Sequence, residues 1–167
     1  MDAGYYFYKS KTDVKVPSLT SVLNLVKTNQ KYLNIELKPN KKNEALNVEK
    51  VLEETKKASY EKIYFSSFDL SSCIGLKNYS PDLLCGFLND DFNKINIKET
   101  IDICKKYNFF SCGINLNVFS NSIVDQFVEN NIQITVYADN NISVVQAKNL
   151  WNNKVSSIFV DDPSEYF

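Results

Sequence analysis

The chain has 167 residues, of which 44% are hydrophobic, 13% aromatic and 23% charged, enough to bury a core and ordinary for a soluble globular protein. Its 19 basic residues are all lysine and stand against 20 acidic ones, for a net charge of -1. That balance gives no electrostatic case for nucleic-acid binding, and without arginine any phosphate contact must use lysine or backbone N–H groups. There is no histidine, and the cysteines at 73, 85, 104 and 112 form no Cys-x-x-Cys pair, so a zinc site is not expected. Reduced, partly buried thiols in a cytoplasmic protein are expected instead. No apolar run approaches the roughly 20 residues of a membrane span, and Met1-Asp2-Ala3-Gly4-Tyr5 carries no signal-peptide pattern.

In chain order, Pro17-Ser18 is a helix start signal, and Leu19, Val22, Leu23 and Val26 form an apolar stripe at helical spacing. A strand is expected over 32–37, followed by a helix on which Ala45, Val48, Val51, Leu52 and Thr55 share one face. Further strands are expected over 61–66, 83–88, 110–116, 132–138 and 155–160. Between them, helical stripes recur at Ile97, Ile101 and Cys104, at Ile123 and Phe127, and at Val144, Ala147 and Trp151, with Ser120 or Asn121 available as an N-cap. The strands are apolar on both faces, as in a parallel sheet covered by helices. This is a helix, five βα units and a final strand. It fits either a (β/α)8 barrel lacking two strands or a six-stranded doubly wound sheet. A complete barrel takes about 250 residues. No Gly-x-Gly-x-x-Gly follows any strand, which argues against dinucleotide binding.

In β/α barrels the reactive groups sit at the C-terminal ends of the strands. There the chain places Glu36 and Lys38, then Ser66 and Ser67, Asn115, Tyr137, Asp139 and Asn140, and finally Asp161 and Asp162. Glu36 and Lys38, two residues apart, point to the same side of a strand. They suit a cation and a phosphate, or equally a structural ion pair. Ser66 and Ser67 are expected to cap the next helix, and the two aspartates before Pro163 to form a turn. Tyr137 reads as a packing residue with an exposed hydroxyl, and Trp151 as filler between helix and sheet. Glu49, Lys50, Glu53, Glu54, Lys56 and Lys57 read as a solvated helix face with i,i+4 pairs.

Several stretches, in order, resemble the glycerophosphodiester phosphodiesterase family. Asp2-Ala3-Gly4-Tyr5-Tyr6-Phe7 resembles its D-A-G-x-W/Y-F, and Val16-Pro17-Ser18-Leu19-Thr20-Ser21-Val22-Leu23 its I-P-T-L-x-E-V-L. Asn34-Ile35-Glu36-Leu37-Lys38 is similar to N-I-E-I-K, and Phe65-Ser66-Ser67-Phe68-Asp69 to I-S-S-F-D. Val136-Tyr137-Ala138-Asp139-Asn140 resembles V-W-T-V-N, and Ile158-Phe159-Val160-Asp161-Asp162-Pro163 resembles I-x-T-D-x-P.

The resemblance implies an incomplete TIM-type (β/α)8 barrel of about six parallel strands, with residues 1–167 as a single partial domain corresponding to the third through eighth strands. It implies hydrolysis of a glycerophosphodiester to glycerol 3-phosphate and an alcohol, a reaction of lipid metabolism, with a divalent cation (calcium or magnesium) as cofactor. Glu36 would be the third of three carboxylate ligands, and Lys38 and Tyr137 would contact substrate. The family's two histidines, in H-R-G and H-D, and the carboxylates of its E-x-D have no counterpart here. The chain is therefore expected to be a truncated form, inactive alone, with no catalytic histidine and a weak or absent cation site. The alternative is a non-catalytic β/α binding or assembly module that pairs with an N-terminal complement or with itself.

Overall fold

The computed structural model describes residues 2–166; the side chains of Tyr6 and Phe7 lie outside that description. All six expected strands are present: β1 (Leu33–Glu36), β2 (Ile63–Ser67), β3 (Cys85–Asn89), β4 (Ser111–Asn115), β5 (Gln133–Tyr137) and β6 (Ser157–Ile158). They form one sheet in the order β1-β2-β3-β4-β5-β6, and every pairing from β2 to β6 is parallel. Sequence neighbours are sheet neighbours throughout. A doubly wound sheet needs a reversal of strand order at its switch point, so the connectivity is that of an incomplete (β/α)8 barrel. The connecting helices are α3 (Glu44–Ala58), α4 (Leu70–Tyr79), α5 (Ile97–Lys106), α6 (Asn121–Val128) and α7 (Val144–Asn152), and α1 (Tyr5–Tyr8) and α2 (Leu19–Thr28) precede the sheet.

The chain divides into two compact units: residues up to Leu33 together with Glu49–Ile63, and Asn34–Val48 together with the residues from Tyr64 onward. In the first, Asp2 accepts hydrogen bonds from the Gly4 and Thr12 N–H groups and from the Thr12 hydroxyl. Ser18 caps α2 through the Ser21 N–H, as its position before the apolar stripe predicts. Thr20 donates to Glu54 at 2.6 Å and Lys27 to the Ala58 carbonyl at 2.8 Å. Leu23 and Leu52, from the two predicted stripes, are buried. The charged face of α3 carries the expected pairs, Lys57 to Glu53 at 2.8 Å and to Glu54 at 3.0 Å, with Lys50 to Glu53 at 3.0 Å.

In the second unit, period-2 alternation sorts the strands into two faces. Phe65, Cys85, Phe87, Cys112, Ile114, Ile134 and Val136 share one face by register and are buried. The opposite face mixes small and hydroxyl-bearing residues with Tyr64 and Leu88: Ser66, Gly86 and Ser111 lie in register, as do Leu88, Gly113 and Thr135. Hydroxyls link this face between strands, Ser66 to Asn34 at 3.1 Å, Tyr64 to Ser111 at 2.7 Å and Thr135 to Ser157 at 2.8 Å. The glycines make room for large neighbours. A Cβ on Gly86 would meet the Tyr64 hydroxyl at 1.8 Å, and one on Gly113 would meet Leu88 Cδ2 at 2.3 Å. Burial pushes the Tyr64 phenol up to about 12.

All four cysteines are free and fully buried, more deeply than expected. Asn96 and Ser143 form capping boxes with Glu99 and Gln146, and Ser120 caps α6 through the Ile123 N–H. Trp151 departs from expectation: it is 46% exposed and meets the Tyr166 ring edge-on at 6.5 Å. The buried face of the helix runs through Ala147 and Leu150, and Trp151, one residue on from Leu150, turns about 100° away from it.

Candidate active site

The C-terminal ends of the strands gather the polar residues singled out in the sequence. Glu36 ends β1, with its side chain 28% exposed. Its Oε1 atom is buried and has no hydrogen-bond partner. Lys38 Nζ lies 3.4 Å from that oxygen, a charge contact only, and the lysine side chain is 75% exposed. An ion pair so open to water contributes at most about 1 kcal/mol. Tyr137 ends β5, and its hydroxyl is also buried without a partner. The expectation of an exposed hydroxyl is thus corrected: the ring stands edge-on to Phe68 at 5.4 Å, and packing across strand ends removes the hydroxyl from water. Burial, then the charges of Asp90, Asp139 and Glu36 among its neighbours, push this phenol well above its ordinary range. Among the described residues, four buried side-chain polar atoms lack hydrogen-bond partners, and two of them are Glu36 Oε1 and the Tyr137 hydroxyl. Such atoms are costly when left dry. Half of them lie at one set of strand ends.

Other strand-end residues have structural duties. The Ser67 hydroxyl donates to the Leu37 carbonyl at 2.7 Å and accepts from the Asp69 N–H. Asp69, rather than either serine, caps α4, accepting from the Ser72 N–H at 2.6 Å. Asn115 and Asn117 donate to Asp139 at 3.3 Å and 3.5 Å. Asp161 and Asp162 form the expected turn: both N–H groups donate to Asn141 Oδ1, and Asp162 accepts from Ser164. Sequence reasoning passed over Asp90, whose charge reaches Tyr137, and Phe68, which is 42% exposed. The available signal was the same one used elsewhere, a polar or aromatic residue immediately after a strand.

Among the described residues, no three histidine, cysteine, aspartate or glutamate side chains are arranged to hold a metal ion. Glu36 offers one buried oxygen that makes no hydrogen bond, and one carboxylate does not make a divalent-cation centre. The residues present do not fit the cation that the resemblance implies. Residues 3–165 match the glycerophosphoryl diester phosphodiesterase family.

The chain belongs to that family.

Solved structures of glycerophosphodiester phosphodiesterases share the fold. The chain superposes on the Oleispira antarctica phosphodiesterase, determined in complex with the product sn-glycerol-3-phosphate, with a TM-score of 0.75 and 18% identity, covering 86% of this chain and 56% of that one. For the Thermotoga maritima glycerophosphodiester phosphodiesterase the values are 0.67 and 21%, with coverage of 93% and 62%. For that of Agrobacterium tumefaciens they are 0.73 and 18%, with coverage of 99% and 67%. The chain thus spans less than two thirds of the length of the first two. No curated protein matches it. Among the described residues, no helix of this phosphodiesterase-family chain is long and apolar enough to cross a membrane.

Proposed function

We propose that the chain supplies one side of a site for glycerophosphodiesters, with Glu36, Lys38 and Tyr137 as the residues that face the ligand, and that by itself it does not hydrolyse them. The observation that carries the reading is the pair of buried atoms that make no hydrogen bond, Glu36 Oε1 (in charge contact with Lys38) and the Tyr137 hydroxyl, at strand ends of a family member. Glu36 is a hard oxygen donor, and among the described residues no companion carboxylates stand where they would complete a divalent-cation centre with it. The Lys38 ammonium, largely solvated, can neutralise a phosphate oxygen. The Tyr137 hydroxyl, kept protonated by burial, can donate to the same group or to glycerol. Acid/base catalysis typically contributes 10²–10⁴-fold or so and most often uses histidine. The chain has none. Residues 1–167 are read as one partial domain of a cytoplasmic hydrolase.

The test is a two-dimensional NMR titration with glycerol 3-phosphate, with and without magnesium or calcium. Saturable shifts centred on the backbone amides of Glu36, Lys38 and Tyr137 are expected in the millimolar range. Shifts absent there, or confined to scattered surface lysines, contradict the assignment. A second reading, an assembly module, rests on β1 and β6 each ending the sheet with a single strand neighbour. A sedimentation profile that stays monomeric at high concentration argues against self-association.

A further inference from the structure

At the opposite ends of the strands lies a pocket of about 210 Å³, lined by Lys77, Asp82, Leu84, Asn108 and Phe110 among others. Lys77 is unusual among the lysines. It sits in the last turn of α4 and is only 9% exposed. Its ammonium donates to the Pro81 carbonyl and, at 2.9 Å, to the Leu83 carbonyl. An ammonium has three N–H donors, so these two bonds leave one.

Carbonyl dipoles satisfy hydrogen bonds but do not cancel a unit charge, and buried charges are normally paired with an opposite charge. Lys77 takes part in none of the six ion pairs found among the described residues. The lining is mixed, and two of its apolar side chains are open to solvent: Leu84 is 44% exposed and Phe110 40% exposed. Asn108, held at φ 52° just past α5, adds an exposed amide at the rim.

We propose that this pocket binds a small organic monocarboxylate, with its carboxylate on the Lys77 ammonium and its apolar part between Leu84 and Phe110. The anion supplies the missing negative charge and takes the spare N–H, and the rings and methyls of the walls select against inorganic ions. Asp82, at the rim, opposes dianions. This site is independent of the glycerophosphodiester reading, since it lies at the other ends of the strands.

The test uses sodium benzoate, with benzamide as the neutral isostere and sodium chloride as the ionic control, in NMR titrations of the full chain. Saturable shifts of the Leu84, Asn108 and Phe110 amides with benzoate are expected, at least tenfold weaker with benzamide and absent with chloride. Lys77→Met abolishes them, and Asp82→Asn tightens binding. If Lys77→Met does not fold, the comparison of benzoate with benzamide decides. Equal binding of the two, no saturable shift, or unchanged benzoate binding by a folded Lys77→Met overturns the proposal.

Discussion

Tyr137 shows how much a single side chain depends on residues far away in sequence. The alternation of β5 places it at a strand end, but Phe68, after β2, covers its ring, and its hydroxyl is left buried and alone. Removing an unpartnered buried hydroxyl relieves a desolvation cost, so Tyr137→Phe is expected to leave stability unchanged or to raise it by up to about 1 kcal/mol. Urea denaturation measures this; a loss of more than about 1 kcal/mol means that the hydroxyl has a partner in the folded protein. Gly113 makes the converse point. A methyl there lands 2.3 Å from Leu88 Cδ2 on the filled mixed face of the sheet. Gly113→Ala is expected to destabilise by about 1–3 kcal/mol, the usual cost of overpacking. An unchanged thermal midpoint would show that Leu88 moves aside freely.

The secondary structure was legible because its signals are local. The stripes led by Leu19, Ala45, Ile97, Ile123 and Val144 all became helices, and six apolar runs became strands. Capping was legible for Ser18 and Ser120, because a hydroxyl before an apolar stripe has an N–H to accept from. It was misplaced after β2, where Ser67 is taken by the Leu37 carbonyl and Asp69 caps instead. The helix ends were not legible at all. With only 4 glycines in the chain, Gln30, Asn108, Asn131 and Lys154 adopt the left-handed conformation that usually calls for glycine. Each is followed by an N–H that reaches back to close the helix: Lys31 to Val26, Phe109 to Cys104, Ile132 to Phe127 and Val155 to Leu150.

On α3, hydrogen bonds from Lys57 and Lys50 hold the Glu53 carboxyl down to about 2, from an ordinary value of 4.5. A depressed carboxylate stabilises the fold above its unfolded value and loses that contribution as pH falls through the folded one. The Glu53 contribution is therefore present above about 4.5 and fades toward 2. Glu53→Gln is expected to flatten the acid limb of the stability profile between those values, measured by circular dichroism. An identical acid limb in the variant would show that the pairs are not held in solution. High salt should also blunt the difference, since the pairs are exposed.

At the scale of the whole molecule, strand order decided between the two architectures that the sequence left open. Periodicity counts strands but says nothing of which strands lie side by side; the uninterrupted order from β1 to β6 does. The candidate site was legible in part. Glu36 and Lys38 stood out as a charged pair at a strand end, and the structure keeps them together at 3.4 Å. Asp90 and Phe68 did not stand out, because their relation to Tyr137 is made by the sheet and not by spacing along the chain. The absence of histidine was plain from the start, and the folded chain offers no metal-binding cluster among its described residues to compensate.

The central claim is that this family member presents Glu36, Lys38 and Tyr137 without the means to complete the reaction. The most direct measurement is an enzyme-coupled assay for glycerol 3-phosphate, run on the purified chain with glycerophosphocholine and glycerophosphoethanolamine in excess magnesium or calcium. The account predicts release no faster than in a protein-free control with either ion. Robust, metal-dependent release that is lost in Glu36→Gln would contradict it.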